Sequence, residues 1–223
     1  MLFFLLSSGQ VVCAGNDVDE IVIFFDQSAS INDYDPKMVS RKWLTDFITT
    51  FNNTCKVTLF GFDDRLHKHG HVTIHTKKDV EILLEKISLI ESHGLTTNFE
   101  IPFQHLLTLD NRESLKVAVI TSDWEPEIWD EKQWYLSKSV RDDQRYEDLT
   151  RQYHLMKSQG ESPEQIYKKL HALYQARNLE LIEERLALVK ESIGEKLFLL
   201  DIYGELEYFA RWADLLDSDS ISI

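Results

Sequence analysis

Cysteine is scarce, basic residues are outnumbered, and long apolar runs are missing. Only Cys13 and Cys55 are present, and no CxxC pair occurs. No disulfide framework or zinc site can be read from that. Lys and Arg number 24 against 38 Asp and Glu, a formal charge of −14. Nucleic-acid binding depends on neutralising phosphates with Lys and Arg, so this balance argues against it. An anionic membrane surface is disfavoured for the same reason. Beyond the first residues nothing is long enough to span a membrane. What is left is a chain of 223 residues with ordinary apolar and charged content. That length suits one large domain, or a domain with an insertion. The acidity favours solubility and cationic partners, divalent ions included.

The first fourteen residues carry two readings. Met1 to Leu6 is apolar, and Val12-Cys13-Ala14 has small residues placed for a cut before Gly15. No Lys or Arg precedes the run, and it is shorter than a typical signal core. A weak export signal is the expectation for residues 1–14, with a cytoplasmic chain as the alternative. The domain proper is then expected over residues 15–223.

The stretch Ile21-Val22-Ile23-Phe24-Phe25 runs straight into Asp26-Gln27-Ser28-Ala29-Ser30. An unbroken apolar run fits a strand covered on both faces. The Asp-x-Ser-x-Ser that follows falls at the strand's carboxyl end, where open α/β sheets bind ligands. Small oxygen groups there suit a hard divalent cation such as Mg²⁺. A plain turn would also use Asp and Ser.

Further along, Asp35 and Pro36 open a helix in which Val39, Trp43, Phe47 and Phe51 share a face with Leu44 and Ile48. Cys55–Phe62 reads as a strand, and His69–Thr76 as a half-exposed edge strand paired to it. Strict alternation puts His67, His69 and His71 on one face, a possible metal patch. A solvated hairpin around Gly70 is the simpler reading, since no Cys or carboxylate completes a tetrahedral set. Asn52-Asn53-Thr54 matches a glycosylation acceptor that matters only in a eukaryotic secretory setting. Val80, Leu83, Leu84 and Ile87 mark a helix with Asp79 near its start. The polar loop Ser92-His93-Gly94-Leu95-Thr96-Thr97-Asn98 leads into a helix with Pro102 in its first turn. Thr97 or Asn98 could simply cap that helix. Leu115–Thr121 is another continuous apolar strand, ending in Ser122-Asp123-Trp124.

Asp26, Ser28 and Ser30, then Thr96 in Gly94-Leu95-Thr96, then Asp123 resemble the pattern of a von Willebrand factor type A domain with a metal-ion-dependent adhesion site. The resemblance runs from about Asp19 to Asp123 and resumes at Lys196–Tyr203 with a closing helix. It implies an α/β fold: a doubly wound, mostly parallel central sheet with one antiparallel edge strand and helices on both faces. It implies Mg²⁺, or Mn²⁺ or Ca²⁺, held by Asp26, Ser28, Ser30, Thr96 and Asp123. It implies a protein partner whose acidic side chain completes the coordination. Three departures stand out. Trp124 replaces a frequent glycine, Ile31 with Asn32 and Asp33 replaces a small residue, and Thr97 beside Thr96 leaves the hydroxyl assignment open by one residue.

Residues 127–195 depart further, because one helix is usual there. So long a connection must carry structure of its own. Its Glu, Lys, Arg, Leu and Gln content reads as helical, with a capping box at Ser162-Pro163-Glu164-Gln165. A helical insertion is expected near the metal face. Two other functions fit parts of the pattern. A scaffold could bind through the insertion with a vestigial metal site. A Mg²⁺-dependent phosphatase could use Asp26 as nucleophile, but the second acid it needs is Ser28 here.

Overall fold

A computed structural model describes residues 19–35, 39–49, 54–109, 114–130, 135–193, 196–201, 210–212, 214–215 and 221–222. The N-terminal fourteen residues and the Asn52-Asn53 pair of the glycosylation match lie outside them, as do Leu206 and Phe209 of the expected closing helix. The strands are β1 (Asp19–Asp26), β2 (Cys55–Phe62), β3 (Leu66–Ile74), β4 (Leu115–Ser122), β5 (Trp129–Asp130), β6 (Tyr135–Leu136), β7 (Leu197–Asp201) and β8 (Ile221–Ser222). The helices are α1 (Ile31–Tyr34), α2 (Val39–Thr49), α3 (Lys77–Ser88), α4 (Glu100–Leu107), α5 (Lys138–Arg141), α6 (Glu147–Ser158) and α7 (Pro163–Ile193).

Six strands form one sheet in the order β3-β2-β1-β4-β7-β8. Every neighbour pair is parallel except β2 with β3. The architecture is therefore the doubly wound, mostly parallel sheet with an antiparallel edge that the resemblance implies. The chain leaves β1 toward β2 on one side and returns to β4 on the other. The strand order reverses there, so the crevice outside the carboxyl ends of β1 and β4 is the switch point.

Period-two alternation splits β1 between two cores. Val22 and Phe24 join Phe60, Phe62, Ala118, Ile120, Leu197 and Leu199 on the face covered by α4 and α7. Ile21, Ile23 and Phe25 join Val57, Leu59, Val117, Val119 and Leu200 on the opposite face, under α2 and α3. Both faces are dry, which is why these strands read as unbroken apolar runs. The expected caps are present. Asp35 Oδ1 and Oδ2 accept the N–H groups of Val39 (2.5 Å) and Ser40 (3.1 Å) at the start of α2. Thr76 and Asp79 form a capping box on α3. Ser162 and Gln165 form one on α7.

A third core, Ile128, Trp129, Leu136, Val140, Tyr146, Ile166, Leu170, Tyr174 and Leu181, belongs to a helical body between β4 and β7. Helix α7 has 31 residues and is about 46 Å long at 1.5 Å per residue. It serves two cores. Ile166, Leu170 and Tyr174 pack into the helical body, whereas Ile182, Leu186, Val189 and Ile193 pack under the sheet. At 100° per residue the two apolar stripes point roughly 130° apart. Between them Asn178 is fully buried, and its Oδ1 accepts the Tyr146 hydroxyl at 3.0 Å. The body is tied to α4 by charge. Glu100, with 8% of its side chain exposed, takes both guanidinium nitrogens of Arg145 and, at 3.1 Å, Arg185 Nη2.

The histidine patch needs correcting. The β2–β3 register shifts between Leu59 and Phe60, so His67 pairs with Gly61 but His71 with Thr58. A bulge adds one residue and turns the following side chains to the other face. His67 and His71 therefore face opposite sides of the sheet. His67 Nε2 meets Asp63 Oδ1 at 3.0 Å, and His69 Nε2 meets Gln27 Oε1 at 3.1 Å.

Leu186 is fully buried in the sheet core, and Leu173 is 51% exposed on the same helix. Leu186→Ala is expected to cost about 3 kcal/mol. Leu173→Ala should stay within about 0.5 kcal/mol. Urea denaturation with an unchanged m-value checks both.

Candidate functional site

The site begins where β1 stops. Asp26 is 3% exposed, and its Oδ1 accepts the Ser28 N–H at 2.8 Å. This Asx turn bends the chain off the sheet. It also brings the Ser28 and Ser30 hydroxyls within 2.9 Å of each other.

A second loop lies against the first. Gln27 C=O accepts the N–H groups of His93 (2.9 Å) and Gly94 (2.7 Å), and Gly94 C=O accepts from Ala29 at 2.9 Å. Gly94 permits that approach. A Cβ there would sit 2.5 Å from Asp63 Cβ and 3.0 Å from Gln27 O. Thr96, two residues on, is 1% exposed. Capping of α4 falls to Asn98, whose Oδ1 accepts Glu100 N–H at 3.1 Å. Thr97 N–H is bound to Glu127 C=O at 2.5 Å. The Thr96 hydroxyl is thus left unused by the helix start.

The third loop follows β4. Phe24 pairs with Ile120 in the parallel ladder, so Asp26 and Ser122 continue on the same face. Ser122 Oγ donates to Asp26 Oδ2 at 2.5 Å and accepts Trp124 N–H at 2.9 Å. In the sequence Ser122 reads only as part of the strand's polar end. The β1–β4 register gives it its role, by setting it beside Asp26. Asp123 is fully buried and receives a hydrogen bond from the Ser30 side chain. Asp26, Ser28, Ser30 and Asp123 therefore form one connected group, and the loop bearing Thr96 is bonded to it through Gly94.

Trp124, at the position where the resemblance implies a glycine, has φ +59° and no exposed surface. Left-handed backbone costs a bulky residue on the order of 1–2 kcal/mol. Packing offsets it: the ring stacks on Phe99 at 5.0 Å, and its Nε1–H donates to Leu200 C=O at 3.1 Å.

Electrostatically the site is overloaded with negative charge. Burial, and after it the Asp123 charge, raises the Asp26 carboxyl to about 8 against hydrogen bonds from Ser122 and Ser28. Burial also raises Asp123, opposed by hydrogen bonds from Ser30 and the Glu125 N–H. Thr96 Oγ1 and Asp123 Oδ2 are buried without a hydrogen-bond partner among the described residues. Buried polar atoms are normally satisfied, so such orphans ask for an ion or water. Two carboxylates and three hydroxyls make an all-oxygen donor set suited to a hard divalent cation. Among the described residues no cluster of three or more His, Cys, Asp or Glu offers an alternative. A cavity of about 190 Å³ opens beside Asp26, lined by Asn32, Arg41, Ser92 and Thr121 among others.

No family model and no curated protein matches the chain. Solved structures match its fold. Proximal thread matrix protein 1 from the mussel byssus superposes with a TM-score of 0.52 at 15% identity, covering 93% of this chain and 43% of that one. Another structure of that protein has zinc in its metal-ion-dependent adhesion motif. A von Willebrand factor type A protein from Catenulispora acidiphila gives 0.52 at 13% identity, covering 92% and 38%. The conserved hypothetical protein BatB from Bacteroides thetaiotaomicron gives 0.51 at 11% identity, covering 92% and 90%. The chain spans less than half the length of the first two. Its fold is that of the von Willebrand factor type A domain.

The carboxylate pair sets a pH dependence for the metal-free protein. Folded Asp26 keeps its proton up to about 8, whereas the unfolded chain releases it near 3.8. Between those values the folded state binds more protons, so stability falls as pH rises. One proton gives a slope of at most about 1.4 kcal/mol per pH unit. Asp26→Asn should flatten that slope and leave the metal-free variant more stable than wild type at pH 8. Urea melts in chelator at pH 5 and pH 8 check this; equal slopes would contradict it.

Proposed function

We propose that this chain is a metal-dependent protein-binding module. Asp26, Ser28, Ser30, Thr96 and Asp123 would hold the cation, Mg²⁺ or else Mn²⁺ or Ca²⁺. A carboxylate of a partner protein would complete its coordination. The observation that carries the reading is a buried, unpartnered oxygen on each of two neighbouring loops, Thr96 Oγ1 and Asp123 Oδ2, the latter belonging to one of the site's two buried carboxylates. The zinc-occupied motif of the byssus protein supports it as an example on the same fold.

A bound cation would supply a Lewis-acidic point beside the two buried carboxyls at the switch point. The protein's residues do the rest. Ser122 and the Ser28 N–H fix the Asp26 carboxylate, and Ser30 orients Asp123. Strands β1 and β4 hold the two aspartates on adjacent rungs, so little ordering remains to be done on binding. A chain of net charge −14 repels an acidic partner at long range. Capture of a carboxylate therefore depends on the local positive charge that a cation would bring.

A second reading draws on the separate core of the helical body. In it the body captures a partner and the oxygen cluster is vestigial. The two readings diverge in one experiment. Ser28→Ala and Asp123→Ala should each abolish Mg²⁺ binding by calorimetry and chelator-sensitive partner capture, with the far-UV spectrum unchanged. Wild-type Mg²⁺ affinity in both variants would refute the metal reading. Partner capture that survives chelator would favour the scaffold.

A further inference from the structure

Thr96 sits between two anchors. On its N-terminal side, Gly94 is bonded to the β1 loop through Gln27 and Ala29. On its C-terminal side, successive residues are bonded to the segment that begins after Asp123 and becomes the helical body. Thr97 N–H donates to Glu127 C=O at 2.5 Å, in an antiparallel bridge. Asn98 Nδ2–H donates to Ser139 Oγ at 3.1 Å. Glu100 is clasped by Arg145 and Arg185. Ser139 is itself held in place: its hydroxyl lies 2.7 Å from Ser137 Oγ, which donates to Asp64 Oδ1 at 3.0 Å. Asp64 also accepts the N–H groups of Lys138 (3.3 Å) and Ser139 (3.4 Å), which open α5. The Thr96 loop is thus pinned along its exit by residues of the helical body.

We infer that the helical body is a clamp on the Thr96 loop, so that its docking and cation affinity are coupled. The inference rests on the metal reading above. Ser139 and Arg145 act as positioning residues: neither is among the proposed ligands, and both set where the loop carrying Thr96 lies. Coupling between two sites is reciprocal. A cation that draws on Thr96 must then also hold the body to the sheet. Conversely, anything that lifts the body, such as a partner gripping its exposed helices, would weaken the cation site.

Two measurements on the full chain test this, with Mn²⁺ as the probe. The first is hydrogen exchange of α5 and α6 in wild type with and without saturating Mn²⁺. Slowing of about fivefold or more is expected. The second is Mn²⁺ affinity by calorimetry for Ser139→Ala and Arg145→Met, at a temperature where both are folded. Each should bind about five- to tenfold more weakly. Arg151→Met, which removes only exposed pairings with Glu147 and Asp148 on α6, should bind like wild type. A merely structural role would lower the melting temperature of these variants and leave their affinity alone. Tight Mn²⁺ binding with unaltered exchange and wild-type affinity in both variants overturns the clamp and leaves the metal reading standing. If a variant fails to fold, the wild-type exchange result decides. Failure of Mn²⁺ to bind wild type overturns the clamp together with the metal reading.

Discussion

Two carboxylates, Asp26 and Asp123, are buried against each other at the ends of adjacent parallel strands. Like charges in so dry a place are costly, and burying a charge without a partner is among the most expensive things a fold can do. The sheet imposes this arrangement. The ladder that pairs Phe24 with Ile120 carries both chains outward in register, so the residues that end the two strands meet. The immediate compensation is a set of hydroxyls and N–H groups: Ser122 and Ser28 on Asp26, Ser30 and Glu125 on Asp123. They reduce the penalty without removing it, since both carboxyls remain raised. A divalent cation is the chemistry that would fit this all-oxygen donor set and offset the remaining penalty.

The surrounding structure then reads as support for that pair. Gly94 lets the second loop approach the first more closely than any side chain would allow. Trp124 accepts a left-handed backbone to turn the chain after Asp123, and its ring stacks on Phe99 at the head of α4. Loops from three distant parts of the sequence are thereby pinned by backbone bonds and one aromatic stack. The helical body adds a fourth support through Glu127, Ser139 and Arg145.

Much of this was legible in the residues because the signals were local. An apolar run ending in Asp-x-Ser-x-Ser marks a covered strand and its polar end without knowledge of the rest. Asp35, Asp79 and Ser162 announce helix starts by chemistry that acts over three or four residues. What escaped depends on long-range pairing. The bulge beside His69 reverses the face of later side chains, and nothing in His-x-His-x-His encodes it. The role of Ser122 required the β1–β4 register. Helix α7 shows one nearly continuous apolar stripe in sequence, yet its two halves bury different faces against different cores, because the partners of each half lie far away along the chain.

Anomalous diffraction from crystals soaked in Mn²⁺ tests the central claim most directly. The account predicts one strong peak within bonding distance of oxygens from Asp26, Ser28, Ser30, Thr96 and Asp123. A peak beside His67 and His69 instead, or none at the ends of β1 and β4, would contradict it.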